Sequence, residues 1–196
     1  MIESRLSKAA RGMSDAPEFD VARAEREGLV DVAYARADSP FGEWIVAVTP
    51  KGLVRLAFSG DDEDAVLDDL SRRVSPRVLH EPSRLDPVRR ELDEYFDGKR
   101  HDFDVPLDWQ LVGGFNLKVL RATARIPYGS VSTYKDMARS AGSPAAARAA
   151  GNALHNNPIP IVVPCHRVLH SGGGLGGYGG GLDMKQQLLR LEGAIE

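Results

Sequence analysis

At 196 residues, with 42% hydrophobic and 27% charged residues, the chain has an ordinary globular composition and enough length for a proper core. Its longest apolar run is the handful of residues around Ile159–Val163, which excludes a membrane-spanning helix, and M-I-E-S-R-L-S-K lacks the apolar stretch of a secretory signal. The net charge of −3 is unevenly spread: from Trp109 onward nine Lys or Arg face four acids, a balance of +5, leaving −8 elsewhere, so the second half suits a polyanion.

Met1 to Glu27 is polar and interrupted at Pro17, and reads as a floppy or helical extension. Three strand-like runs follow, Val30–Ala37, Gly42–Thr49 and Leu53–Phe58, and the turn chemistry of S-P-F-G and P-K-G between them predicts an antiparallel meander. Asp62–Val74 has a helical apolar face of Ala65, Leu67, Leu70 and Val74. Asp86–Pro87 is a good N-cap pair for a second helix, lined by Val88, Leu92, Tyr95 and Phe96 and ended by Gly98. Asp102–Pro106 is expected to return to the sheet, and Leu107–Gly113 to link the halves.

The second half is mostly helical. Phe115–Ile126 turns Phe115, Val119, Leu120, Ala122 and Ile126 inward until I-P-Y-G breaks it. Ser132 is placed to cap a short helix through Ala141, stopped by Gly142. Ser143–Pro144 opens an Ala-rich helix that ends at Asn156–Asn157–Pro158. Two short helices around a Gly-containing turn have the outline of a helix-turn-helix, with Arg148 projecting from a surface of small residues. An Ala-rich helix chosen for packing and propensity fits the same pattern. A last helix runs from Asp183 to Glu192 with Leu188, Leu189 and Leu191 apolar. The fold class is α/β: a small antiparallel-sheet-plus-helix domain over 28–108, then a mostly helical, winged-helix-like domain over 109–196.

The chain has one cysteine, Cys165, in I-P-I-V-V-P-C-H-R-V-L. It cannot form an internal disulfide and has no zinc-ligand cluster around it, which leaves a buried structural thiol or a nucleophile. Pro164 interrupts any β-ladder before it, and His166 and Arg167 follow at once. A glycine-rich loop then gives it an irregular edge. These features predict an electropositive, partly open thiol with a lowered pKa, flanked on an extended segment by residues facing opposite sides. A lone thiol also predicts a reducing, cytoplasmic setting.

P-C-H-R-V at Pro164–Val168 resembles the active-site signature of the O6-alkylguanine-DNA alkyltransferases. Other segments fall in the family's order: I-P-Y-G-S-V-S-T-Y at Ile126–Tyr134, A-A-R-A-A-G at Ala146–Gly151, N-P-I-P-I at Asn157–Ile161, and G-G-Y-G-G-G-L with K-x-x-L-L-x-x-E-G at Gly176–Gly193. The resemblance covers roughly Phe115 to Gly193. It implies single-turnover repair of double-stranded DNA: Cys165 takes the alkyl group from O6 of a flipped-out guanine and keeps it as a thioether. No metal or cofactor is implied. Glu192 would hold His166, and His166 would take the Cys165 proton through a water. Asn157 would pin the backbone beside the Cys165 segment. Tyr134 would help rotate the nucleotide and donate to the base edge, and Arg148 would fill the vacated stack. Pro160, Val168, Tyr178, Gly179 and Gly180 would border the base. Gly179 stands where some members carry a serine. Arg167 reads as structural, pairing with an acid. The resemblance implies a monomer, with assembly of several copies along DNA left open.

Two other readings compete. A cysteine hydrolase would use Cys165, one of His155, His166 or His170, and Asn157. A damage-sensing DNA-binding module without chemistry resembles the same family, but such proteins replace the cysteine. Gly172–Gly181 is rejected as a dinucleotide fingerprint because it is read as lacking the preceding strand and following helix of a βαβ unit.

Overall fold

The computed structural model describes residues 30–196; the extension expected over Met1–Glu27 lies outside the described residues. Strands β1 (Val32–Ala37), β2 (Trp44–Thr49) and β3 (Gly52–Ala57) form the antiparallel meander, with Ala35 opposite Val46 and Val46 opposite Leu56. A fourth strand, β4 (Val78–His80), pairs parallel with β1, so the sheet is mixed, in the order β3-β2-β1-β4. The sequence reading missed β4, whose three residues are too few for any alternation to register.

β2 is central and buried along its whole length, which is why W-I-V-A-V-T reads as continuously apolar rather than alternating. One face of the sheet packs Val32, Ile45, Ala47, Val54 and Ala57 against Val66 and Leu70 of α1 (Glu63–Arg73). The expected α1 face therefore shifts: Val66 is buried, Leu67 and Val74 only border the core, and Ala65 is exposed. On the other face Trp44 meets Phe96 at the end of α2 (Asp86–Phe96). Asp86 is not the N-cap of α2. A 3-10 turn over Pro82–Leu85 runs straight into the helix, and Leu85 takes the cap position without a side-chain bond.

Asp102–Pro106 does not return as a strand. The chain instead touches the edge of β3 at one bridge, Leu53 to Leu107, with Leu53 N donating to Pro106 O at 2.8 Å. A Cβ at Gly52 would come within 2.1 Å of Pro106 O, so this close backbone approach requires glycine. The same edge reaches the second half: Leu56 N donates to Pro158 O at 2.8 Å, tying the sheet to the segment that leads to Cys165.

In the second half α3 (Gly114–Thr123), α4 (Tyr134–Ser140) and α5 (Ala147–His155) pack on one another. α3 stops earlier than expected, and Ile126 is buried in the turn beyond it. The cap of α4 is Thr133 rather than Ser132: its hydroxyl accepts from Asp136 N at 3.1 Å and donates to Asp136 Oδ2 at 2.6 Å. α4 and α5, joined by Ala141–Ala146, form the helix-turn-helix. A two-residue parallel ladder, β5 (Ser132–Thr133) with β6 (Val168–Leu169), fixes the start of α4 beside the Cys165 segment. The chain closes with α6 (Leu182–Leu191), in which Leu188 and Leu189 are buried and Leu191 is 37% exposed. The Gly172–Gly181 loop thus does have a short strand before it and a helix after it. Among the described residues no strand pairs parallel with β6 through α6, so the loop still belongs to no βαβ unit. Among the described residues no helix is long and apolar enough to cross a membrane.

Candidate active site

The path from α5 to Cys165 is built from tight turns. Val162 N donates to Pro160 O at 2.9 Å across Ile161, and Cys165 N donates to Val163 O at 2.8 Å across Pro164. These are γ-turns, and Ile161 at φ 72° is the strained kind, a β-branched residue in the left-handed region. Such backbone persists only where its surroundings hold it. Asn157 does much of the holding: its Oδ1 accepts from Ile159 N at 3.1 Å and its Nδ2 donates to Val163 O at 2.9 Å. The same Nδ2 lies 3.2 Å from Cys165 Sγ, as donor to the sulfur.

Cys165, His166 and Arg167 form a 3-10 turn, not the extended segment expected, so the two neighbours of the thiol do not simply face opposite sides. Nor is the thiol open. Cys165 is only 8% exposed, and burial pushes its pKa up, against the Asn157 hydrogen bond and the charge of Lys185. The expected lowering of the thiol pKa is therefore corrected to a rise, because desolvation outweighs the nearby donors.

Behind the thiol sits a buried charge cluster. Glu192, just past the end of α6, accepts from His166 Nε2 at 3.0 Å, from Arg167 Nη2 and Nε at 2.8 Å each, and from Tyr95 Oη at 2.7 Å. Burial alone would raise the Glu192 pKa, but the bonds from His166, Arg167 and Tyr95 bring it down to about 2. Burial holds the His166 imidazole below its ordinary value despite the pull of Glu192. At neutral pH the ring is neutral, with the Nε2 proton assigned to the Glu192 bond. Its Nδ1 is buried and has no hydrogen-bond partner, which leaves one basic lone pair next to the thiol in sequence. Arg167 also donates to Ile126 O at 2.6 Å, so its role in holding the turn is structural.

In front of the thiol a cavity of about 440 Å³ opens, within the range of small-molecule sites. Cys165 is part of its wall, with Tyr134, Arg148, Tyr178 and Gly179. Tyr134, the first residue of α4, is closely confined: the His170 ring is 5.0 Å away, and a Cβ at Gly176 would come within 2.4 Å of its hydroxyl. Gly176, at φ 70°, is required here on both counts. Arg148 is exposed on α5 at the same wall. Tyr178 reaches back to Phe58 of the sheet at 5.7 Å, and its buried hydroxyl has no partner. A side chain at Gly179 would meet Phe58 only at ordinary contact distance, so nothing steric prevents a serine there.

Pro160, Val168 and Gly180 are not on the cavity wall. Pro160 is buried in its γ-turn, and the Val168 carbonyl accepts from Lys185 Nζ at 2.7 Å. Gly180 lies under Met184, whose sulfur a Cβ would strike. Asn157 bonds Ile159, Val163 and Cys165 rather than a histidine, unlike the arrangement a Cys–His–Asn hydrolase needs.

Two family models match the chain: the ribonuclease-like domain of 6-O-methylguanine DNA methyltransferase over residues 32–109, and its DNA-binding domain over 114–194. The inducible methylated-DNA–protein-cysteine methyltransferase of Bacillus subtilis is 39% identical over 155 residues, spanning 78% of this chain and 86% of that protein. The Mycolicibacterium paratuberculosis protein of the same name is 44% identical over 160 residues, spanning 76% and 92%. The chain belongs to the O6-alkylguanine-DNA alkyltransferase family. The fold agrees: the crystal structure of Mycobacterium tuberculosis OGT in complex with DNA matches with a TM-score of 0.71 at 36% identity, covering 83% of this chain and 93% of that one.

Sequence reasoning missed two residues of this candidate site. Lys185 is fully buried and donates to the carbonyls of Val168 and Leu175, and burial brings its pKa down to about 8. Its K-x-x-L-L motif was visible, but an amphipathic helix gives no reason to turn a lysine inward. Tyr95 was read only as part of the apolar face of α2, since no spacing links residues 97 apart in sequence.

Proposed function

We propose that the protein repairs double-stranded DNA by moving an alkyl group from O6 of guanine directly and irreversibly to Cys165, once per chain. The observation that carries this reading is the cysteine itself: its sulfur borders the cavity, takes a hydrogen bond from Asn157, and is followed by a neutral His166 held by Glu192. As substrate arrives, the thiol proton passes through one water to His166 Nδ1. A bond forms between Sγ and the alkyl carbon while the carbon–O6 bond breaks. The electron pair stays on the guanine, which takes up through water a proton equivalent to the one His166 accepted, so that the base regains its ordinary keto form and His166 returns to neutral. Glu192 stabilises the imidazolium, and Asn157 Nδ2 the developing thiolate. The thioether is not hydrolysed, so the chain is spent.

O6 of a stacked guanine cannot reach a sulfur this enclosed, so the nucleotide is flipped into the cavity at a cost of about a few kcal/mol. Tyr134 supports rotation of the nucleotide and donates to the base edge, Tyr178 and Gly179 wall the base, and Arg148 occupies the gap left in the duplex. Residues 109–196 bind DNA and accept the alkyl group, with 28–108 as the supporting domain. A working thiol of this kind fits the reducing cytoplasm. Mass spectrometry after incubation with O6-methylguanine DNA tests the reading. We expect one added methylene mass on Cys165, one equivalent per chain, and none in Cys165→Ser. Repeated turnover, or methyl transfer to Cys165→Ser, would overturn it.

A further inference from the structure

We propose that Tyr95, on α2 of the N-terminal region, is a positioning residue for alkyl transfer that acts through Glu192 and sets the state of His166. The inference rests on the proton relay described above and adds a residue to it. Tyr95 is fully buried, and its ring is packed by Phe96, Phe103 and Tyr128 at 5.3, 5.4 and 6.2 Å. A phenol in such a place needs a hydrogen-bond partner. The one it takes is Glu192 Oε1, at 2.7 Å.

That oxygen already receives His166 Nε2 at 3.0 Å and Arg167 Nη2 at 2.8 Å, so three donors share its charge. Packing alone does not call for this; a phenylalanine would fill the same space. Two consequences follow. The carboxylate cannot rotate, so the His166 ring is held with its Nδ1 in one direction. Glu192 also spends part of its charge on Tyr95 and favours the imidazolium less, which keeps His166 a free base before substrate arrives. The other ionisable groups around the ring are Arg167, Lys185, Cys165 and Tyr178. The two cations act with burial to keep it neutral, leaving Glu192 as the charge that opposes them. Burial and the Glu192 charge hold the Tyr95 phenol far above its ordinary value, so it remains a donor at every pH the fold survives. The N-terminal region thereby contributes directly to the relay and is more than a scaffold.

The test is the rate of Cys165 alkylation by free O6-benzylguanine, which needs no DNA, followed from mildly acidic to mildly alkaline pH in the full chain. In Tyr95→Phe the acid limb, where His166 must lose its proton, should move up by about one pH unit, the scale of one hydrogen bond to a charged group. Phe103→Leu loosens the same ring without touching the carboxylate; it should melt lower and leave the limb in place. An unmoved limb in Tyr95→Phe, or an equal move in Phe103→Leu, overturns the proposal. A measurement on the unaltered protein stands beside these: the Tyr95 hydroxyl proton should be protected from exchange, and a freely exchanging one overturns the proposal as well. Glu192→Gln separates the levels. If it leaves rate and limb unchanged, the relay itself fails; if it slows transfer while Tyr95→Phe is silent, only the role of Tyr95 fails.

Discussion

Replacing Asn157 separates the two tasks its side chain performs. In Asn157→Ala the Ile159 N–H, on a fully buried residue, loses its acceptor, and the Val163 carbonyl and Cys165 Sγ lose a donor. A net hydrogen bond is worth about 1 kcal/mol and a buried unpaired group costs about 1–3 kcal/mol, so the fold should lose about 3 kcal/mol. For a chain of this size that is about 6–12 °C in Tm. The loss should concentrate in the strained turn at Ile161, which Asn157 braces from both sides. The chemistry should suffer separately: a hydrogen bond to a developing thiolate is worth about 1.5–3 kcal/mol, or about 10- to 100-fold in rate. Asn157→Asp distinguishes the two effects, since it keeps the acceptor for Ile159 but sets a carboxylate against the sulfur. It should melt closer to wild type than Asn157→Ala yet transfer alkyl groups more slowly. Calorimetry and single-turnover transfer from free O6-benzylguanine measure both quantities. An Asn157→Ala protein that transfers at the wild-type rate per folded molecule would refute the reasoning about the sulfur, and one that melts with wild type would refute the bracing.

Three further outcomes follow from the same geometry. Because burial pushes the Cys165 thiol up, labelling by iodoacetamide should be slow at neutral pH and rise only beyond the free-thiol value of about 8.5; an inflection at or below that value would contradict it. His166 and Glu192 both have folded pKa values below their unfolded ones, so the unfolded chain takes up protons first and stability falls on acidification. The loss should begin below the ordinary histidine value of 6.5. It should deepen from 4.5 towards 2 by about 3 kcal/mol for Glu192, so a Tm that stays flat from neutral pH to pH 4.5 would count against the cluster. Arg148→Ala should slow repair of a duplex lesion far more than reaction with the free base, since only the duplex must be held open; equal losses would instead assign Arg148 to the fold or the pocket.

What the sequence disclosed and what it withheld differ by the range of the interactions involved. The meander was legible because Ser39–Gly42 and Pro50–Gly52 carry their own turn chemistry, and the helices because their apolar residues recur within a few positions. The choice between Ser132 and Thr133 as a cap was not legible, since the two side chains are equivalent until the backbone decides which one meets Asp136. β4 gave no signal at three residues; its place comes from a parallel partner more than forty residues earlier. The candidate site divides in the same way. Pro164–Val168 marks a candidate nucleophile because an imidazole and a guanidinium follow a lone thiol. Local charge was then taken to decide the state of that thiol, and here a short-range argument gave the wrong sign. Desolvation is the work of the fold around the thiol: Cys165 is left only 8% exposed, and that burial outweighs the Asn157 hydrogen bond and the charge of Lys185. A buried neutral thiol beside a buried neutral imidazole carries no standing charge. The charges that prepare it are held one layer deeper, at Glu192, where residues from both halves of the chain meet.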